Sequence, residues 1–157
     1  MVAVANGFLT SNVVYAPSCG GREVTVMGSS AEVVYPAQNA ETRRQAAAGS
    51  TVVYPNLDSC FWNIVTRGTV VRINFLKFDV EWSSGCMKDR LEVYQGSSED
   101  RANLLSVFCG TLNGNATKSQ DFLTPNGDLL LKFTSDAPFV RTGFHLKYDV
   151  VSCRFYF

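Results

Sequence analysis

The amino-acid sequence predicts an all-β protein, either a sandwich or a barrel, on three observations. Hydrophobic residues make up 46% of the 157 residues and charged residues only 18%. Eleven phenylalanines are present and helix-forming runs are few, which favours strands because aromatic side chains pack well on a pleated surface. From Tyr54 onward, strand-like segments recur about every ten residues with turn residues between them. The length suits one domain with a substantial core.

The first third of the chain is less regular than the remainder. Residues 1–18 show no period and are expected to form an irregular extension, so the organised part begins at Cys19. Residues 23–27 alternate and predict a first strand. A region with few signals of regular structure follows over residues 28–50. Residues 41–49 are its one helix-like piece, and their final glycine is expected to end that helix.

Six later segments alternate between apolar and polar residues in the manner of half-buried strands. They are residues 60–65, 70–75, 89–94, 104–110, 128–133 and 143–148. In the last of them the alternation buries Phe144 and turns His145 outward. We therefore interpret His145 as an ordinary surface residue without an evident acidic partner.

Two carboxylates, Glu81 and Asp89, bracket a short Ser/Gly turn and a cysteine between two predicted strands. A calcium ion takes about 6 to 8 oxygen ligands, and acidic side chains at the ends of a short loop supply the charged part of that set. Asp136, where another predicted strand ends, is the candidate third donor. Taken alone these residues are a weak signal, because acidic side chains in loops are mostly solvated.

Five cysteines, at positions 19, 60, 86, 109 and 153, are many for a cytosolic domain of this size. Their spacing fits no zinc site, because the sequence has no Cys-x-x-Cys and His145 is the only histidine. A disulfide-bonded extracellular domain is the simpler interpretation, and the odd number leaves one thiol to be explained.

Charge and hydropathy exclude several classes of function. With 14 basic and 14 acidic residues the net charge is zero, which argues against nucleic acid or an anionic membrane as the main partner. No apolar run approaches the length of about 18 residues that a membrane span needs. The first residues lack the basic start and sustained apolar run of a secretion signal, so we expect a mature or trimmed chain.

Nothing in the sequence supports catalysis. With one histidine, a Ser-His-Asp or Cys-His site would need His145, which the strand pattern places on an outer face. Glu81 and Asp89 could in principle be paired for sugar hydrolysis, but they are better explained as metal ligands, and a small closed sandwich rarely offers a cleft. We therefore expect a binding protein and not an enzyme.

Several short motifs follow one another in a fixed order along residues 19–148. They are Cys19-Gly20-Gly21, Tyr54-Pro55, Cys60-Phe61-Trp62-Asn63-Ile64, Phe75 with Phe78, Glu81, Cys86-Met87-Lys88-Asp89, Cys109-Gly110, Phe133-Thr134-Ser135-Asp136 and Gly143-Phe144-His145-Leu146-Lys147-Tyr148. In this order they resemble the CUB domain family, and an ordered set of this length is hard to reach by chance.

The resemblance implies a CUB domain over residues 19–148, with an expanded loop over residues 28–50 and a C-terminal tail over residues 149–157. The family fold is a two-sheet antiparallel, jelly-roll-like β-sandwich that is secreted or displayed on a cell surface. The resemblance also implies disulfides joining Cys19 to Cys60 and Cys86 to Cys109. Each would contribute roughly 3 to 4 kcal/mol through loop entropy.

Many CUB domains bind calcium, and the resemblance implies the same site here. Glu81, Asp89 and Asp136 would ligate the ion, with backbone carbonyls of residues 137–139 and water completing the shell. The Tyr54 hydroxyl would hydrogen-bond a liganding carboxylate and fix its orientation. A Tyr-Pro step stands at each end of the expanded loop, and we assign this role to the second.

The function implied by the family is calcium-dependent binding of an extracellular protein. The ion holds the acidic side chains in place, and the free oxygen edges of Glu81 and Asp136 accept a Lys or Arg from the partner. Trp82 could cover the aliphatic stem of that side chain, or it could be a half-buried packing residue.

Three further possibilities stay open at this stage. The domain could be a carbohydrate-binding or self-assembling module in which calcium is only structural, or an accessory domain of a larger protein. Cys153 could pair with another chain and form an oligomer, pair with a neighbouring domain, or remain free. Asn115 begins the sole glycosylation sequon of the chain, so a glycoprotein is expected.

Overall fold

Two five-stranded sheets pack face to face and enclose the hydrophobic core. The structure, a computed structural model, describes residues 12–112 and 119–151. The strands are β1 (Val13–Tyr15), β2 (Glu23–Met27), β3 (Ser30–Tyr35), β4 (Thr51–Val53), β5 (Ser59–Val65), β6 (Val70–Val80), β7 (Arg90–Gln95), β8 (Leu104–Phe108), β9 (Gly110–Thr111), β10 (Ser119–Leu123), β11 (Asp128–Thr134) and β12 (Gly143–Val150). The described residues contain one α-helix, α1, which spans Ala40–Ala47.

The strand order defines a sandwich. One sheet has the order β10-β6-β12-β3, with β9 also paired to β6, and the other has the order β2-β5-β11-β7-β8. Neighbouring strands are antiparallel except for β2, which runs parallel to β5. The short strands β1 and β4 form a separate parallel pair. The predicted all-β sandwich is therefore confirmed.

The core follows from the alternation that the sequence shows. In β5, Cys60, Trp62 and Ile64 are buried between the sheets, while Phe61 and Asn63 face the other side. Burying an aliphatic or aromatic side chain of this size contributes about 1.5 to 3 kcal/mol, so the inward faces of the long strands dominate the stability of the sandwich.

β6 contains an irregularity that the spacing of two phenylalanines requires. Phe75 and Phe78 are three residues apart, yet both are buried in the core. Because side chains alternate along a strand, residues three apart face opposite sides unless one extra residue is inserted. The pairing of β6 with β12 shifts register at this point, between His145 and Leu146, and so supplies that residue.

The region 28–50 is more ordered than the sequence suggests. Its first part forms β3, an edge strand paired with β12, which the sequence analysis does not predict. The predicted helix is confirmed as α1, capped at its start by Asn39, whose side chain accepts a hydrogen bond from Thr42 N at 2.8 Å. Gly49, with φ of 98°, follows its end as expected. Residues 13–15 form β1, so the expectation of an irregular extension is wrong for them.

His145 has an acidic partner, contrary to the prediction. Its Nε2 lies 3.0 Å from Glu32 Oε2 on the outer face of the first sheet. The sequence analysis does not predict β3, the strand to which Glu32 belongs, and therefore could not pair Glu32 with His145. The outward direction of the His145 side chain is as the alternation predicts, since Phe144 and Leu146 on either side are buried.

Both predicted disulfides are present, joining Cys19 to Cys60 and Cys86 to Cys109. Cys153 and the sequon at Asn115 lie outside the described residues, so their predicted roles stay predictions. Within residues 12–112 and 119–151, no helix has the length and apolar character needed to cross a membrane.

Candidate metal centre

Three acidic side chains meet at one end of the sandwich. Glu81 follows the last residue of β6, Asp89 precedes β7, and Asp136 lies two residues beyond the end of β11. Each contributes one carboxylate oxygen to a group whose members all lie within 4.8 Å of one another. Calcium binds oxygens at about 2.3 to 2.6 Å, so two ligands of one ion can stand up to about 5 Å apart. The spacing of these oxygens therefore fits a single calcium ion.

The cluster is buried, so the ionised state of its carboxylates is energetically unfavourable. Asp89 is completely shielded from solvent, and Glu81 is only 7% exposed. Two buried carboxylate oxygens, Glu81 Oε2 and Asp136 Oδ1, have no hydrogen-bond partner. A buried carboxylate oxygen without a partner is strongly unfavourable, and it becomes favourable when a cation binds it. The arrangement is therefore compatible with a bound cation.

Asp89 is the best-anchored member of the cluster. Its Oδ2 accepts a hydrogen bond from the Tyr54 hydroxyl at 2.6 Å, and its Oδ1 accepts one from Asp136 N at 2.7 Å. Burial raises the pKa of Asp89 to about 6, and the neighbouring charge of Glu81 acts in the same direction, although the hydrogen bond from Tyr54 opposes it. Burial and the charge of Glu81 both disfavour negative charge on Asp89, and a divalent cation would offset both.

Tyr54 joins two of the three acidic residues. Its side chain is fully buried, and its hydroxyl oxygen accepts a hydrogen bond from Glu81 N at 3.1 Å while donating to Asp89. Burial raises the pKa of Tyr54 well above its usual range, so the phenol keeps its proton and remains a donor. Tyr35, in the other Tyr-Pro step, instead donates to Asp58 Oδ2 at 2.7 Å. Tyr54 is thus the tyrosine that contacts the cluster.

Asp58 is a buried carboxylate that the sequence analysis did not identify. Besides Tyr35 it accepts hydrogen bonds from Ser18 Oγ at 2.5 Å and from Cys19 N at 2.9 Å. Burial alone would raise its pKa, but these donors outweigh burial and lower it. Cys19 and Cys60 lie beside it, but their sulfurs are joined in a disulfide and offer no thiolate. Asp58 therefore ties the N-terminal segment to the start of β5 and is not part of a metal site.

Two exposed side chains, Trp82 and Lys88, are next in sequence to members of the cluster. Trp82 is 70% exposed, which does not fit the half-buried packing residue considered above. A Cβ atom at Gly110 would stand 3.2 Å from Trp82 Cδ1, so the indole rests close to the Gly110 backbone. Lys88 Nζ lies 3.6 Å from Glu81 Oε1. This contact was not predicted, although the position of Lys88 next to Asp89 was a signal for it.

Fold and site together define a disulfide-bonded antiparallel β-sandwich with a buried acidic cluster at one end. A family model described as CUB domain matches residues 35–148. The chain belongs to the CUB domain family, whose domain is a non-catalytic module that mediates protein–protein interactions.

Curated proteins and solved structures support this assignment. The chain is 32% identical over 100 residues to "Embryonic protein UVS.2" of Xenopus laevis, covering 64% of this chain and 18% of that protein. It spans no more than about a third of the length of the curated relatives it matches. The solved full extracellular region of zebrafish Gpr126/Adgrg6 matches with a TM-score of 0.59 and 25% identity, over 87% of this chain and 15% of that one.

A third match has the same fold at lower identity. The crystal structure of the MASP-1 CUB2 domain bound to Ca²⁺ matches with a TM-score of 0.56 and 20% identity, covering 84% of this chain and all of that one. At this identity the match shows the shared sandwich.

Proposed function

We propose that this CUB domain is a calcium-dependent protein-binding module of an extracellular protein. The observation that carries the proposal is the convergence of Glu81, Asp89 and Asp136 oxygens within 4.8 Å, two of these side chains having a buried oxygen without a partner. Only oxygen ligands are present, and a hard cation such as calcium prefers them. The calcium in the related MASP-1 domain supports the same ion here.

In this proposal the three carboxylates hold the ion and the protein around them holds the carboxylates. Tyr54 donates a hydrogen bond to one oxygen of Asp89, and Asp136 N donates one to the other oxygen. Three carboxylates and one divalent ion leave one negative charge, which Lys88, 3.6 Å from Glu81 Oε1, balances in the free domain, so a basic side chain of a partner would take its place. The free oxygen edges of Glu81 and Asp136 accept that Lys or Arg, and the exposed Trp82 covers its aliphatic stem.

The extracellular location is inferred from the two disulfides. Such bridges persist in oxidising compartments and are rare in reducing ones. The matched region of zebrafish Gpr126/Adgrg6 is described as extracellular, which supports the same location.

A calcium titration followed by calorimetry and thermal unfolding tests the proposal. With calcium at about ten times its dissociation constant, we expect the folded state to gain about 1.4 kcal/mol, which raises the melting temperature by about 5 °C. Asp89→Asn keeps the shape of the side chain but removes the charge, and it should abolish this gain. Asp121→Asn is the matched control, because Asp121 is an exposed carboxylate paired with Arg72 on another part of the sandwich.

Melting curves that coincide with and without chelator would contradict the calcium site. The rival function, a carbohydrate-binding or self-assembling module, predicts a different pattern. A glycan array or a sedimentation measurement would then give a signal that Asp89→Asn and chelator leave unchanged, whereas binding of a protein partner should be lost under both conditions.

A further inference from the structure

A cavity of about 380 Å³ lies on the outer face of the sheet that contains β7. Leu91 and Val93 of β7 face the core, so Arg90, Glu92 and Tyr94 of the same strand face outward, and all three line the cavity. The other lining residues come from β8, β11 and the loops on either side of β7. The volume is in the range of about 300 to 1,000 Å³ that is usual for ligand pockets.

The floor of the cavity carries a buried ionic network. Glu92 is 6% exposed and Tyr94 is 4% exposed, although both lie on the outer face of the sheet. Glu92 Oε1 accepts a hydrogen bond from Arg90 Nε at 2.5 Å, and Glu92 Oε2 accepts one from the Tyr94 hydroxyl. A buried carboxylate is stable only when such partners are present. Both oxygens of Glu92 are therefore engaged within the protein.

A second ion pair stands beside the first. Lys132 is the partner of Glu92 in the register of β11 with β7. Its Nζ lies 2.5 Å from Glu99 Oε2 and 5.6 Å from the centroid of the Phe61 ring. The charge of Lys132 is therefore balanced by Glu99, as the charge of Arg90 is balanced by Glu92.

Arg101 is the lining cation that these pairs leave over. Within the described residues, no acidic side chain stands within ion-pair distance of its guanidinium. Asp100, the preceding residue, instead accepts a hydrogen bond from Ala102 N at 3.0 Å. Burial and the hydrogen bond to Glu92 raise the pKa of Tyr94 to about 12, and the charge of Arg101 opposes them, so Arg101 acts electrostatically on the cavity floor.

The rest of the lining offers few polar groups. Apart from Gly85 and the disulfide-bonded Cys86, the uncharged lining residues other than the tyrosine are Met87, Leu104 and Val107. The lining side chains together carry three positive and two negative charges, which leaves one net positive charge. The cavity therefore suits a group that has a single negative charge and otherwise apolar atoms.

We propose that this cavity receives the carboxylate side chain of a Glu or Asp residue of a protein partner, with Arg101 as the cation that binds it. A guanidinium can donate two parallel hydrogen bonds to one carboxylate, and the methylene groups of the entering side chain would contact the apolar lining. None of the three residues of the acidic cluster lines the cavity, so this surface is separate from the calcium site and goes beyond the proposed function.

The lining argues against two other anionic occupants. A sulfated polysaccharide brings many negative charges, whereas one lining cation is unpaired and the carboxylates of Glu92 and Glu99 repel further anions. An acidic sugar carries several hydroxyl groups, which would lose water against Leu104 and Val107 and find both oxygens of Glu92 already engaged. A glutamate side chain has no polar atom outside its carboxylate, so one free cation is sufficient for it.

Two short peptides with blocked ends test the proposal. They are identical, with leucines on both sides of the central position, except that the centre is Glu in one and Gln in the other. Binding to the full 157-residue chain is followed by heteronuclear NMR at low salt, with calcium present. The Glu peptide should bind about tenfold more tightly, a difference typical of a charge-assisted hydrogen bond. It should shift the backbone amide signals of Tyr94, Arg101 and Leu104.

Three single variants assign the effect to the cavity. Arg101→Gln should reduce the affinity for the Glu peptide to that for the Gln peptide. Arg22→Gln is the matched control, because Arg22 is an exposed arginine next to β2, at the opposite edge of the same sheet, and both affinities should stay unchanged. Glu99→Gln frees Lys132 from its carboxylate, so it should strengthen binding of the Glu peptide by about threefold.

Several results would overturn the inference. Equal affinities for the Glu and Gln peptides would do so, as would equal losses in Arg101→Gln and Arg22→Gln, or weaker binding of the Glu peptide by Glu99→Gln. Free N-acetylneuraminic acid is the third probe. If it binds through Arg101 more tightly than the Glu peptide does, the occupant is an acidic sugar and not a protein segment. Calcium titrations of the three variants should match that of the unmodified chain, so failure at this cavity is distinguishable from failure of the calcium site.

Discussion

The hydroxyl of Tyr54 donates a 2.6 Å hydrogen bond to Asp89 Oδ2, and both side chains are fully buried. The bond is charge-assisted when Asp89 is ionised, and such bonds are about twice as strong as neutral ones. It also fixes the direction in which the other oxygen edge of Asp89 faces. The geometry of the acidic cluster therefore depends on a residue that offers the proposed ion no ligand of its own.

Replacing Tyr54 by Phe should weaken calcium binding about tenfold while the core stays filled. The physical reason is that Asp89 loses the donor that orients it, and loss of an orienting partner behind a metal ligand costs 10- to 100-fold in affinity. Isothermal titration calorimetry with calcium gives the measurement. Tyr35→Phe is the control, because Tyr35 donates to Asp58 and not to the cluster. Equal calcium affinities in the two variants would contradict the assignment of Tyr54.

Replacing Lys88 by Gln should strengthen calcium binding by roughly two- to fivefold at low salt. The Lys88 ammonium lies 3.6 Å from Glu81 Oε1 and repels a cation bound to the same carboxylate, but it is half exposed, so solvent weakens the effect. Lys147→Gln serves as control, since Lys147 lies 3.9 Å from Asp149 on the outer face of a sheet. The gain should shrink as ionic strength rises, and a gain that is independent of salt would rule out this electrostatic origin.

The sequence predicts the long strands well and the short ones poorly, for a physical reason. β5 and β12 alternate over seven and eight residues, so their buried faces can be identified from the chain alone. β1 has three residues, too few to show a period. β3 contains two adjacent valines, of which Val33 is buried and Val34 is half exposed. Because an apolar residue stands on each face of this strand, its sequence shows no apolar and polar alternation.

The positions of Glu81, Asp89 and Asp136 beside predicted strands named the acidic cluster, but only as a weak signal. Asp89 and Asp136 are 47 residues apart in the sequence, and strand alternation does not determine which loops meet at one end of a sandwich. The family resemblance supplied that information. The resemblance could not reveal Asp58, which lies outside the motif set. It could not reveal the contact of Lys88 with Glu81 either, because Lys88 stands at a position where the Cys-x-x-Asp motif fixes no residue type.

Replacing Asp58 by Asn should lower the stability of the domain at neutral pH and have less effect in acid. The donors to Asp58 include Ser18 Oγ and Tyr35, and hydrogen bonds to a charged group contribute more than neutral ones, so the loss at pH 7 should be about 2 kcal/mol. Because the pKa of Asp58 is lowered in the folded state, its contribution is present above the ordinary pKa of 3.8 and is lost as pH falls through the folded pKa.

Denaturant unfolding of Asp58→Asn and the unmodified protein between pH 7 and pH 2.5, in chelator, checks this prediction. The difference in the free energy of unfolding should be constant above about pH 5 and should narrow below the ordinary pKa of an aspartate. A difference that widens in acid would mean that the folded state raises the pKa of Asp58. Asp121→Asn provides a comparison, because Asp121 is exposed and its loss should cost much less at every pH.

Removing the Cys86–Cys109 disulfide should weaken calcium binding by more than the accompanying loss of folding stability explains. The bridge closes a loop with a sequence separation of 23, and its loss should cost about 3 kcal/mol through the entropy of the unfolded chain. It also releases the loop that carries Asp89, so the double variant Cys86→Ser with Cys109→Ser should bind calcium at least about tenfold more weakly even where it remains folded.

Removing the Cys19–Cys60 disulfide separates the loss of folding stability from the loss of calcium affinity. Cys19–Cys60 closes a longer loop, with a separation of 41, so Cys19→Ser with Cys60→Ser should lose about 4 kcal/mol of stability, somewhat more than the first pair. Its cysteines contact the Asp58 region and not the β6–β7 loop, so calcium affinity should change little. Calorimetric titration of both double variants at a temperature where circular dichroism shows them folded gives the comparison. If calcium affinity follows stability in both, the Cys86–Cys109 bridge has no separate role in positioning the ligands.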